Sequence, residues 1–158
     1  MVANDAGDAD TGPNNLQNFP VVTSATTGGG TITVGGTLDS TPSTAFRVEL
    51  FANAACDPSG NGEGKTFLGA ATVTTDSGGD SNFSVALTKT VAVGAAITAS
   101  ATDPDNNTSE FSTCVTAVAA TPTPVPGTTV PGLAAMAGML VLVLVWALRR
   151  KGSPTGTP

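Results

Sequence analysis

Between residues 20 and 118 apolar and polar side chains take turns, and this period of two constrains the fold more than any other feature of the chain. Successive side chains of a strand point to opposite faces, so alternation leaves each strand one apolar face to bury. Ile32, Val34 and Leu38 share one parity in GTITVGGTLDS. In AFRVELFAN, Phe46, Val48 and Leu50 face one way while Arg47 and Glu49 face the other. Phe83, Val85 and Leu87 alternate with polar neighbours, and Ile97, Ala99 and Ala101 alternate with Thr98, Ser100 and Thr102. Phe111, Thr113 and Val115 close the series. Clusters of Gly, Pro, Asn, Asp and Ser at 39–43, 57–64, 76–80 and 103–107 supply the turns. With further strands near 20–25 and 67–75, about seven strands result, which predicts two antiparallel sheets packed face to face.

Composition agrees and narrows the function classes. Aromatic residues make up only 4% of the chain and charged residues 11%, against 19 glycines and 11 prolines. High Thr, Val and Gly with few aromatics favours strands and tight turns over helical bundles. Twelve carboxylates face six basic residues, and three of those six are Arg149, Arg150 and Lys151 at the far end. The body of the chain would repel a phosphate backbone, so nucleic acid is excluded as a partner. No His or Tyr is present. Acid–base work near neutral pH would need a strongly shifted carboxylate or lysine, and a zinc site would lack its commonest ligand.

The strongest signal outside the strands is the run LAAMAGMLVLVLVWAL at residues 133–148, which opens on Leu133 and closes on Leu148 without a charge. Only a helix or a closed barrel satisfies its backbone in lipid, and a run of this length is helical. Trp146 stands where an indole favours the interface, and Arg149, Arg150 and Lys151 hold the tail behind them (149–158) in the cytoplasm. The predicted partner is therefore the membrane, crossed once, with residues 1–132 on the extracytoplasmic side. Met1 to Asp5 has neither the basic start nor the apolar core of a signal peptide. The expectation is that the sequence belongs to a longer exported protein with upstream domains.

Two segments flank the strands. Residues 119–132, AATPTPVPGTTVPG, place Pro at alternate positions, which enforces an extended, semi-rigid spacer. Residues 1–16 are rich in Asp and Asn. Asp5, Asp8 and Asp10 crowd oxygen ligands of the kind calcium takes, and they are the only metal candidates. An EF-hand loop does not fit: counted from Asp8, the fifth position is Gly12 and the twelfth is Phe19. The main expectation for 1–16 is a solvated connector, with no cofactor apart from that calcium option.

Three further motifs fail on context. Asp10-Thr11-Gly12 and Asp76-Ser77-Gly78 have the letters of the aspartic-protease pair, yet one lies in the acidic head and the other in a hairpin turn. Ser59 to Thr66 misses a phosphate-binding loop by one residue, and Phe67 to Val73 reads as a strand where a helix is required. Cys56 and Cys114 are an even pair in a chain with a membrane anchor, which suggests one disulfide in an oxidising compartment, the alternative being two small buried thiols.

The stretches GTLDSTPSTAFRVELFAN, FLGAATVTTDSGGDSNFSVALT and ITASATDPDNNTSEFSTCV together resemble the immunoglobulin-like domains repeated in bacterial surface proteins. The markers are Thr75-Asp76-Ser77-Gly78-Gly79-Asp80-Ser81-Asn82-Phe83 and the hairpin at 101–110. The acidic head with Leu16-Gln17-Asn18-Phe19-Pro20-Val21 is similar to a segment that precedes such domains in large secreted proteins with parallel β-helix regions. The resemblance covers roughly residues 4–118 and implies an immunoglobulin-like sandwich at 17–118. In such a sandwich the strands at 45–53 and 109–117 both lie antiparallel to the strand at 95–102 between them. Cys56 and Cys114 then share one end of one sheet, and a 56–65 loop folding across would let them bond. Val130-Pro131-Gly132, the apolar run and the basic triplet also resemble the tripartite sorting signals of surface proteins, with Val-Pro-Gly where LPxTG or Pro-Glu-Pro would stand. That likeness implies a sorting or processing protease as a partner, with a permanent anchor as the alternative. The expected function is a non-catalytic surface module for structure or display. The alternative is an adhesive module binding carbohydrate or depending on calcium.

Overall fold

The computed structural model describes residues 2–121, which form an all-β sandwich. Its strands are β1 (Val21–Gly28), β2 (Thr31–Asp39), β3 (Ala45–Asn53), β4 (Thr66–Thr74), β5 (Asp80–Leu87), β6 (Ala96–Thr102), β7 (Val115–Thr116) and β8 (Val118–Ala119). One sheet runs β5-β2-β1-β8 and the other β4-β3-β6-β7. All neighbours are antiparallel except β1 and β8, which pair in parallel at Thr26–Val118 and Thr27–Ala119. The predicted spacer, apolar run and basic tail, including Leu133, Trp146, Leu148, Arg149, Arg150 and Lys151, lie outside the described residues. Among the described residues no helix is long and apolar enough to cross a membrane.

The alternation does what period two requires. Phe46, Val48 and Leu50 of β3 are fully buried, and they meet Ile32, Val34 and Leu38 of β2 from the facing sheet and Ile97, Ala99 and Ala101 of β6 beside them. At roughly 25 cal/mol per Å² of apolar surface removed from water, this shared core is the main force holding the two sheets together. Arg47 and Glu49 take the opposite face and pair with each other there. Phe83, Val85 and Leu87 are only half-buried, because β5 closes the edge of its sheet and has a neighbour on one side alone.

Two expectations change in detail. Thr98 and Ser100, read as the solvent face of β6, are buried. The 54–65 loop lies over Thr98, so β6 is covered on both sides there: the Glu63 carbonyl accepts from Thr98 Oγ1 at 2.8 Å and from Asn53 Nδ2 at 2.6 Å. The strand expected at 109–117 narrows to β7, and β8 beyond it crosses to the other sheet. Serine hydroxyls stand in for the missing ladder: Ser109 Oγ accepts from the Ala101 amide and Ser112 Oγ from the Ala99 amide, each at 2.9 Å. Ser112 is consequently buried, as is Ala117 at the end of that segment, while Phe111 packs edge-on against Phe51 at a centroid distance of 5.3 Å.

The marker residues build turns, but the first turn is not the expected hairpin: it carries the chain from β4 in one sheet to β5 in the other. Asp76 Oδ1 accepts from the amides of Gly78 at 2.7 Å and Asp80 at 3.1 Å. Asp103 Oδ1 accepts from Asp105 and Asn107, both at 2.8 Å. A carboxylate that takes up the orphan amides of its own turn fixes the reversal, and at Asp103 it sets the antiparallel bridge between Thr102 and Thr108. Gly79 is required by the same geometry: its φ is +98°, and a Cβ there would sit 2.5 Å from the Ser40 carbonyl oxygen.

Candidate functional site

The acidic head is tied to the sandwich. The Asn4 side chain brackets the backbone of Phe19, donating to its carbonyl at 2.8 Å and accepting from its amide at 3.0 Å. Asn18, 2% exposed, donates to the carbonyls of Asp5 at 2.6 Å and Asp39 at 2.8 Å and accepts from the Asp5 amide. The Gly7 amide donates to Asp39 Oδ1 at 2.9 Å. The segment 4–19 thus lies against the end of β2, and the buried Asn18 amide is matched to backbone partners, as burial demands.

This clamp brings Asp5, Asp8 and Asp10 together. One carboxylate oxygen from each lies within 4.8 Å of the others. Asp8 is the anchored member: Oδ1 accepts from the Asn18 amide at 3.0 Å, and Oδ2 accepts from the hydroxyl of fully buried Ser40 at 2.7 Å. Asp5 Oδ2 accepts from the Ala9 amide at 3.1 Å. Asp5 Oδ1 and Asp10 Oδ1 are shut off from solvent and have no hydrogen-bond donor. Among the described residues no lysine or arginine pairs with any of the three. Burial pushes the Asp8 carboxyl above the ordinary carboxylate value, the hydrogen bonds from Ser40 and Asn18 oppose it, and the neighbouring charges of Asp5 and Asp10 add to the rise. All the donors are hard oxygens, which is the ligand set of an alkaline-earth ion.

The sequence pointed to the three aspartates but not to the residues that aim them. Asn18, Ser40 and Asp39 carry that work. The only sequence signal was two amides, Gln17 and Asn18, set directly before the apolar start of β1.

Cys56 and Cys114 form a disulfide with a Cα–Cα distance of 6.0 Å. The loop that reaches across is held at several points beyond the bond. The Gly62 amide donates to the Ser112 carbonyl at 3.0 Å, and the Cys114 amide to that of Gly60 at 3.2 Å. A Cβ at Gly62 would fall 1.8 Å from Thr98 Cγ2, so the loop can lie flat on β6 only with glycine there. Asp57, partly exposed, is held below the ordinary carboxylate value by the hydroxyl and then the amide of Ser59. The segment resembling a phosphate loop is therefore a cross-linked cover that runs on into strand β4.

One aromatic patch accompanies it. Phe67, half exposed, meets Phe51 edge-on at 5.7 Å, on the same ring that Phe111 touches. No protein-family model matches the chain, and no curated protein matches it.

Proposed function

We propose that the chain is a non-catalytic module of a bacterial cell-surface protein, an immunoglobulin-like sandwich that spaces or displays other parts of that protein. In this reading residues 133–148 and the cations behind them are the membrane anchor or sorting signal, and residues 119–132 the spacer. The observation that carries it is the Cys56–Cys114 disulfide, a bond that persists in oxidising compartments, in a chain that also holds an uncharged run ending at Arg149. The strand order supports the immunoglobulin-like assignment: the second and fifth strands share one sheet, and the third and sixth share the other.

The test is the fate of the full chain exported behind a signal peptide. The reading expects it to stay in the membrane pellet after alkaline extraction. Protease should reach residues 1–121 from outside the cell, and neither cysteine should react with maleimide before reduction. A freely soluble full chain, or free thiols at both cysteines in native material, refutes it.

The adhesive alternative draws on the exposed ring of Phe67 beside Phe51 and Phe111, a platform on which the apolar face of a sugar can stack. A glycan-array signal abolished by Phe67→Ala would favour it over a purely structural role.

A further inference from the structure

We propose that Asp5, Asp8 and Asp10 bind one calcium ion that clamps the N-terminal segment onto the end of β2. The proposal stands apart from the surface-display reading, because it depends only on how three side chains meet. Two of their oxygens, Asp5 Oδ1 and Asp10 Oδ1, are buried with no donor from the protein. A buried, unpaired anionic oxygen is among the costliest groups a fold can carry. Here two of them stand in one cluster with a third carboxylate, and among the described residues no basic side chain forms an ion pair with it.

A cation relieves all of this at once, and the spacing selects which one. Calcium sits 2.3–2.6 Å from its oxygens, so ligands on opposite sides of it are about 5 Å apart. The three carboxylates offer oxygens within 4.8 Å of one another. Magnesium requires a tighter octahedron and gives up its waters reluctantly. Asp8 could not swing to provide that octahedron, since each of its oxygens already accepts a hydrogen bond from the clamp. Zinc and copper would want nitrogen or sulfur, and the cluster has neither.

The same contacts define the ion's effect. Asp10 accepts no hydrogen bond and holds no other part of the fold, so binding recruits it. Asp8 reaches Ser40 at the end of β2 and Asn18 just before β1. Bound calcium therefore joins residues 5–10 to both strands of the first hairpin and orders the segment by which an upstream part of the protein would enter the sandwich.

Calorimetric titration of CaCl2 into the EDTA-stripped full chain in mild detergent tests this directly. The expected result is one ion per chain with a dissociation constant on the order of 10⁻⁴ M or tighter. Melting temperature should rise by about 10 °C when calcium stands at roughly 100 times that constant. Asp10→Asn should weaken binding at least ~10-fold, the loss of one charged ligand, while melting in EDTA stays equal to or above that of the parent. MgCl2 should bind at least ~10-fold more weakly than CaCl2. Absence of both heat and thermal shift up to ~10 mM calcium, ten times the weakest extracellular sites, overturns the proposal. So does Asp10→Asn binding like the parent, or magnesium binding as well as calcium. A chain that ignores calcium yet is stabilised by acid would assign the relief to a shared proton, which also overturns it.

Discussion

Replacing both cysteines, as Cys56→Ala with Cys114→Ala, measures what the cross-link contributes. The bond closes a span of 58 residues. On the chain-entropy relation, forbidding that span its open conformations in the unfolded state is worth about 4 kcal/mol at 25 °C. Unfolding entropy near the midpoint is roughly 2.1 cal/mol/K per residue, or about 0.25 kcal/mol/K for the compact unit Met1–Thr121. The expected fall in melting temperature is therefore about 15 °C, read by circular dichroism with parent and variant in the same detergent. Little native packing should be lost with it. The loop keeps its bonds from Asn53 and Thr98 to the Glu63 carbonyl, and Lys65 still donates to Asn53 Oδ1 at 2.9 Å. The denaturant slope should thus stay the same or rise slightly, as a less restricted unfolded chain exposes more surface. A fall of less than about 4 °C, equivalent to ~1 kcal/mol, would refute the argument that the bond acts by restricting the unfolded chain.

Two other perturbations probe the cover and the acidic cluster. Gly62→Ala drives a methyl into the buried Thr98 and should cost about 1–3 kcal/mol, measured by urea denaturation. Thr98→Ser, which removes the clashing Cγ2, should recover part of that loss, and simple additivity of the two changes would contradict the contact. In calcium-free buffer, Asp8 holds its proton more tightly folded than unfolded, where its value is the ordinary 3.8. Its stabilising contribution is thus complete below that pH and is lost as pH rises through the raised folded value. Asp57 runs the other way, contributing above its ordinary value and losing that contribution as pH falls through its lowered one. The difference in melting temperature between the parent and Asp8→Asn isolates the Asp8 part. It should shift in the variant's favour as pH climbs through that window, and a difference that does not vary with pH would contradict the assignment.

How far the sequence could be read depended on which contacts were local. Phe46, Val48 and Leu50 announce their face because strand geometry alone sets it, and so do Ile97, Ala99 and Ala101. Thr98 looked like a solvent position since nothing near it in sequence reveals that residues 54–65 will lie on top. Its burial is a decision taken some 35 residues upstream, by Glu63 and Gly62. The final segment misled for a related reason. Its alternation suggested one long strand, but Ser109 and Ser112 occupy the β6 amides with hydroxyls, so regular pairing with β6 is confined to β7. At the acidic cluster the carboxylates were visible as composition. The clamp was not, because Asn18, Asp39 and Ser40 become its supports only once β1 and β2 have folded into a hairpin.

The covalent link between Cys56 and Cys114 also governs how the sandwich responds to being pulled. Tension entering through residue 4 and leaving through residue 121 can strip β1, β2 and β3 from one side and β7 and β8 from the other. It cannot draw out the chain between the two sulfurs. At roughly 3.4 Å per extended residue, about 200 Å of contour stays locked inside. A stretched molecule would therefore lengthen by a bounded amount and stop, with β4, β5 and β6 retained in a closed ring. Such a tether yields under load without giving up its full length, and it keeps strands from which the sheets can form again once the force is gone.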